Sequence, residues 1–160
     1  MIHIRKIEAI DNVPIAKIVS QVMQEFGADP KTTVLGDPSL HTMYENYQLP
    51  GSVYYVVELD HKIVGGCGIK QLDGSKENIC ELQRMFLLSD ARGKGIGKKL
   101  LQVCLEAAKQ FDYKRIYLES LSQMKDAAGL YEYAGFTRIS NSLGNTGHGG
   151  CNVFMILDIE

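Results

Sequence analysis

The chain has no long apolar run. A stretch such as Val153–Leu157 falls far short of the roughly 20 residues a membrane helix needs. The amino terminus, MIHIRKIEAID, is charged from Arg5 onward and lacks an apolar leader segment, so neither membrane nor secretion is read here. No sign of charge dominates: 17 Lys and Arg face 19 Asp and Glu, a net charge of -2. That removes the usual electrostatic footprint of a nucleic-acid-binding protein. The four cysteines, Cys67, Cys80, Cys104 and Cys151, never fall within four residues of one another, which excludes zinc-type and redox CxxC spacings. They read as free, largely buried thiols of a cytoplasmic protein. His3, His41 and His61 are isolated and form no metal constellation. Repeats, low-complexity tracts and linkers are also lacking. What remains, 160 residues at 45% hydrophobic and 22% charged, is ordinary for a folded protein, so 1–160 reads as one domain with a real core.

Hydrophobic spacing alternates between strand and helix along the chain. Residues 2–7 read as a strand. Asp11-Asn12 offers a helix cap and Pro14 a first turn; Ile15, Ile18, Val19, Val22 and Phe26 then share one face up to Gly27. A loop rich in Asp, Pro, Gly and Thr over 28–38 leads to a short helix predicted over 38–47. Residues 52–59 and 62–72 form a hairpin about Asp60-His61, and Gly65, Gly66 and Gly68 in its second strand suggest a bulge or a close neighbour. A long strand follows over 79–88, then an amphipathic helix over 95–111, a strand over 114–119 and a helix over 124–134. The last two strands, 136–140 and 152–158, flank a Gly/Asn/Ser-rich loop. The order β-α-α-β-β-β-α-β-α-β-β predicts an α/β (α+β) mixed sheet with helices on both faces. The 79–119 unit supplies one parallel pair by right-handed crossover.

The segment Arg92-Gly93-Lys94-Gly95-Ile96-Gly97-Lys98-Lys99 lies between a strong strand and a strong helix. Alternating glycines let the backbone approach a ligand closely. Free N–H groups at a helix start, with the positive end of its dipole and the nearby Arg92, Lys94, Lys98 and Lys99, make a site for an anion such as pyrophosphate. The spacing excludes two phosphate loops. GxxxxGK[ST] would need Gly at 92 and Ser or Thr at 99, where Arg92 and Lys99 stand. GxGxxG fails at Lys98. R-G-x-G-x-G remains.

That pattern, after a strand and before a helix, resembles motif A of the GCN5-related N-acetyltransferases, the GNAT superfamily. Leu130-Tyr131-Glu132-Tyr133-Ala134-Gly135-Phe136 is similar to the LYxxxGF signature of the same family. The element order fits over nearly the whole chain. The resemblance implies a GNAT-like acyl-CoA N-acyltransferase fold, acetyl-CoA as co-substrate, and no metal. It implies transfer to a primary amine by direct attack in a ternary complex. It also implies that Arg92, Gly93, Lys94, Gly95, Ile96 and Gly97, with Lys98, grip the pyrophosphate. Met85, Phe86 and Leu87 would splay from the next strand and pair with the pantetheine arm. Tyr131 matches the tyrosine that protonates the leaving thiolate. The chain departs from the family at Ser89 and Ala91, where Pro and an aromatic are common. It departs again at Met124, where many members carry Asn.

The chemistry is consistent with those residues. A thioester is already activated; the amine must lose a proton, an oxyanion needs a donor such as a strand N–H near Leu87, and a phenol suits the thiolate. The base is open between Glu81, Glu119, His148 and water. Strict alternation puts Glu81 and Gln83 on one face with Met85, and Leu82, Phe86 and Leu88 on the other. The acceptor pocket is expected from the first two helices and the 27–50 and 140–151 loops, with Tyr44, Tyr47, Tyr54 and Tyr55 as candidate linings. The acceptor reads as a small-molecule amine. A protein N-acetyltransferase, or a CoA-binding sensor without turnover, is the other reading, and a homodimer is left open.

Overall fold

The computed structural model describes every residue except Thr32, Lys76, His148 and Glu160. The suggestion that His148 acts as a base therefore lies outside the described residues. Strand β1 (Ile2–Lys6) leads through a 3-10 turn into α1 (Asn12–Glu25). The hairpin β2 (Val53–Leu59) and β3 (Lys62–Gln71) follows, then β4 (Ile79–Leu87). Helix α3 (Ile96–Gln110), β5 (Arg115–Ser120), α4 (Lys125–Tyr133), β6 (Thr137–Ile139) and β7 (Val153–Asp158) complete the order. The strands form one mixed sheet in the order β1-β2-β3-β4-β5-β7-β6. The only parallel pair among the described strands is β4–β5.

Asp60 and His61 turn the hairpin with φ of 51° and 69°, the left-handed pair whose twist matches the flanking strands. Two local readings fail because partners outside the helix intervene. Asp11 does not cap α1. It is 2% exposed, and its oxygens accept from Arg5 at 2.8 and 3.0 Å and from the Glu8 N–H at 2.7 Å. Asn12 instead reaches out of α1, accepting from Tyr44 N and donating to Glu45, each at 2.8 Å. The helix predicted over 38–47 is two single turns, a 3-10 turn over Pro38–His41 and the short α2 (Met43–Asn46). Asp37 starts the first turn by accepting from Ser39 N at 2.9 Å; Thr42, at φ -129°, separates the two.

Apolar side chains pack on both faces of the sheet. Leu100, Leu101, Cys104 and Ala108 of α3 meet Val57, Ile69, Leu82 and Met155 on one side. Ile15, Val19 and Val22 of α1 meet Tyr54, Val56 and Phe86 on the other. Cys67, Cys80 and Cys104 are buried free thiols; Cys151 is half-buried.

Two irregularities in β4 shape the site. The β3–β4 register shifts between Gly66 and Gly68, opposite Arg84, whose φ is 52°. This is the bulge that the glycines suggested. A Cβ on either Gly66 or Gly68 would lie 2.5 Å from the Tyr54 ring, so the close neighbour is an aromatic. The extra residue resets the alternation of β4. Cys80, Leu82, Met85 and Leu87 face α3, whereas Phe86 joins Gln83 on the α1 side. The expected grouping of Met85 with Glu81, and of Phe86 with Leu82, is thus wrong beyond Arg84. The second irregularity is a splay. β4 and β5 pair only over Ile79–Glu81 with Arg115–Tyr117, while β5 stays paired with β7 along its whole length. Among the described residues no helix is long and apolar enough to cross a membrane.

Candidate functional site

The 92–98 segment joins β4 to α3 through a 3-10 turn over Ser89–Ala91. Gly93 and Gly95 sit at φ 76° and 78°, where a side chain is strained, and a Cβ on either would meet no atom within 4 Å. Gly97 has the opposite reason to lack a side chain. Its Cβ would lie 3.1 Å from Leu130 Cδ2 and 3.5 Å from Met85 Cε. The first bond of the helix runs from Lys99 N to the Gly95 carbonyl at 3.3 Å, so the amides before it are the orphan donors of a helix start. Ile96 is buried in the α3 core, so only its backbone can take part. Lys94 is exposed, and Lys98 Nζ lies 4.3 Å over the ring of the exposed Tyr133.

Arg92 also lines the groove beside this loop, but its backbone N–H is not free. Its own N–H is taken by the Ser89 carbonyl at 3.2 Å, so the row of free amides begins at Gly93. Its Nε donates to the Leu87 carbonyl at 3.1 Å, and its guanidinium donates to Glu25 at 2.6 and 3.1 Å while lying 5.3 Å over the Phe26 ring. Arg92 holds the Glu25 carboxyl below its ordinary range. The side chain thus clamps the end of α1 to the glycine loop. Gln123 Nε2 holds the same end from beyond β5, donating to the Phe26 carbonyl at 3.1 Å.

A groove of about 350 Å³ runs from this loop into the splay. Gly93, Gly95, Gly97 and Lys98 line one end, Met85, Phe86 and Leu87 its floor, and Met124, Ala127 and Leu130 its far wall. The Leu88 N–H bonds back to Val64 of β3 at 2.9 Å; by alternation the Leu87 N–H points into the splay. The Leu87 carbonyl is already occupied by Arg92. Val22 of α1 and Phe26 just past its end also line the groove, a contribution hidden in the sequence because both read as core. Met124 lies on this wall although it lacks the amide common in the family.

A second pocket shares Met85, Phe86 and Met124 with the groove and adds Glu81, Ser120, Tyr131 and Cys151. Tyr131 is 6% exposed, its ring 5.9 Å from Phe136, and its hydroxyl has no hydrogen-bond partner among the described residues. Burial pushes that phenol well up, so it stays protonated at neutral pH. Glu81 is 4% exposed, and burial, reinforced by Glu119 and Asp73, pushes its carboxyl up to about 7 against the opposing hydrogen bond from Gln83. Gln83 Nε2 donates to Glu81 Oε1 at 2.7 Å, and Tyr47 donates to the Gln83 oxygen, which fixes the amide's orientation. Glu119 is less free: it accepts from Tyr117 at 2.7 Å and from Thr146 at 2.7 Å. Cys151 is a poor nucleophile, its thiol pushed up to about 12 by burial.

On the other side of Glu81 a polar cavity of about 490 Å³ opens between the 37–47 segment, the 72–75 turn and residues 145–146. Tyr47 lines it, but the other three candidate tyrosines do not. Tyr54 is buried beneath the bulge, donating to the Arg84 carbonyl at 2.7 Å, and Tyr55 packs on the α3 side. The sequence reading missed the contributions of Lys70 and Arg84, which depend on the hairpin register and on the bulge.

A model of the acetyltransferase (GNAT) family matches residues 20–136. The uncharacterized N-acetyltransferase YjgM of Escherichia coli K12 is 44% identical over 157 residues, 97% of this chain and 93% of that protein. The N-acetylaspartate synthetase of Xenopus tropicalis is 40% identical over 91 residues, 56% of this chain and 32% of that longer protein. A GNAT-family acetyltransferase from Staphylococcus aureus superposes with a TM-score of 0.86 at 23% identity, covering 100% of both chains. An acetyltransferase from Salmonella typhimurium, solved with its cofactor acetyl-CoA, gives 0.78 at 21% identity over 99% of this chain and 94% of that one. The structures establish a shared fold; the family match and the 44% identity over nearly the whole length show that this chain belongs to the acetyltransferase (GNAT) family of N-acetyltransferases.

Proposed function

We propose that the protein transfers the acetyl group of acetyl-CoA to the primary amine of a small molecule, by direct attack in a ternary complex. The observation that carries this is the run of three adjoining spaces with shared walls. The glycine-loop groove meets the Tyr131 pocket at Met85 and Phe86, and that pocket meets the polar cavity at Glu81, Gln83 and Arg84. The groove is apolar along its floor and ends on orphan amides, as a long thiol arm closed by a pyrophosphate requires. The same fit supports the cradle residues Gly93, Lys94, Gly95, Ile96, Gly97 and Lys98, with Met85, Phe86 and Leu87 as the strand edge. Arg92 lines the same groove while its side chain ties the loop to the end of α1.

When bound, acetyl-CoA supplies an activated thioester, so the protein need only position groups and move protons. Glu81, the carboxylate between the two inner spaces, takes the proton of the attacking amine directly or through water. The Leu87 N–H, aimed into the splay, is the donor for developing negative charge on the acetyl oxygen. Tyr131, protonated and without a hydrogen-bond partner among the described residues, gives its proton to the departing thiolate. The test is thiol release from acetyl-CoA by the purified chain against a panel of small primary amines. Tyr131→Phe should lower kcat on the order of 100-fold while leaving the acetyl-CoA dissociation constant nearly as it was. An unaffected kcat at every pH would remove Tyr131 as the acid. Tight acetyl-CoA binding without turnover of any small amine would favour a protein acceptor or a binding module.

A further inference from the structure

The cavity beyond Glu81 carries a cation that acetyl transfer itself does not use. Lys70 stands directly across from Glu81 in the β3–β4 register. Side chains so paired leave the same sheet face with Cβ atoms about 5 Å apart. No ion pair joins them, and among the described residues Lys70 is within ion-pair distance of no carboxylate. It is nevertheless half-buried and lines the cavity wall. The other cation among the described lining residues is committed. Arg84 donates to Asp37 at 3.1 Å, to Ser39 at 2.7 Å and to Met43 Sδ at 2.8 Å. Glu81 is held the opposite way, with one oxygen fixed by Gln83 and the other oxygen left for an incoming proton donor. One wall therefore presents a proton acceptor and, one strand spacing away, a spare ammonium.

A ligand that satisfies both ends is a small molecule with an amine and an anionic group a few bonds apart. Resting on the acetyl-transfer reading above, we propose that the acceptor is a free amino acid, its amine toward Glu81 and its carboxylate on Lys70. Lys70 is then a specificity residue and takes no part in the bond changes. The 37–47, 72–75 and 145–146 segments border this space, and an amide series separates a free amino acid from the end of a protein chain. Charge-assisted contacts of this kind separate an acid from its neutral analogue by about tenfold or more.

The experiment is steady-state thiol release by the full chain with acetyl-CoA and three matched series: the common α-amino acids, their amides, and the amines lacking the carboxyl carbon. The amides stand in for a peptide amino terminus. For the best amino acid, kcat/KM should exceed that of its amide and its bare amine by about tenfold or more. In Lys70→Met the KM for the acid should rise about tenfold and the acid-to-amide ratio should fall toward one, whereas Lys70→Arg, which keeps the cation, should retain the preference. Amides or bare amines used as well as the acids, or a wild-type ratio in Lys70→Met, would overturn the assignment while leaving acetyl transfer standing. Binding of acetyl-CoA without turnover of any of the three series would overturn this assignment, and failure with the wider amine panel as well would remove the small-amine reading with it.

Discussion

Glu81 shows how one residue's environment sets its chemistry. Water exclusion, helped by the neighbouring Glu119 and opposed by the Gln83 hydrogen bond, raises its carboxyl to about 7. As a base it works only when ionised, so kcat/KM should climb as pH passes through about 7. Glu81→Gln should flatten that limb and lower the plateau. The same shift has a stability consequence of fixed sign. The folded state holds this proton more tightly than the unfolded chain does, so the group's contribution is whole below the ordinary carboxyl range and is lost as pH rises through about 7. The melting temperature of Glu81→Gln should therefore gain on that of the wild type as the buffer goes from about pH 5 to about pH 9. A constant difference would show that Glu81 titrates normally. Glu81 was legible in the sequence as a carboxylate on a strand face. Lys70 was not, because its position opposite Glu81 follows from hairpin register, and Arg84 was not, because its inward turn follows from a bulge.

The glycine loop and α3 form the element that the sequence described best. The helix lies within a residue of its expected ends, since its apolar face and its glycine start are both local features. The cap at Asp11 and the helix over 38–47 were misread because partners outside each helix outcompete its own preference. Arg5 draws Asp11 away from α1, and Asn12 spans to α2. Within the loop the glycines separate by cause. Gly95→Ala places a Cβ at a left-handed φ in open space, so it should cost roughly 1–2 kcal/mol of stability, read by chemical denaturation. Gly97→Val instead pushes side-chain atoms toward Leu130 and Met85, the walls of the groove. Its larger effect should fall on acetyl-CoA, with affinity lower on the order of tenfold by calorimetry. Wild-type affinity in Gly97→Val would exclude that stretch of groove from the cofactor path.

At the scale of the whole molecule, the groove is where separately packed parts meet. Its floor is β4, its far wall is α4, and α1 reaches it through Val22 and, just past its end, Phe26, held by Arg92 and Gln123. That assembly was only partly legible. Alternating elements gave the count and order, and the motifs gave the family, but the insertion of β7 between β5 and β6 follows from tertiary packing. A ligand in such a groove bridges helices from both faces, so binding should be felt by the fold as a whole. We read 1–160 as one folding unit, because the two large cores share the β2–β4 strands. A single thermal transition is then expected, and at about 100 times its dissociation constant acetyl-CoA should add about 2.7 kcal/mol to stability. For a chain of this length each kcal/mol moves the midpoint by roughly 2–4 °C, so the rise should be roughly 5–10 °C. CoA should act similarly, since the loop and groove contact the shared part of the molecule. NADH and ATP should not, because the glycine spacing fits neither of their usual loops. Two transitions, with only one moved by acetyl-CoA, would mean that the faces fold separately and that α1 closes the groove without being stabilised by what lies in it.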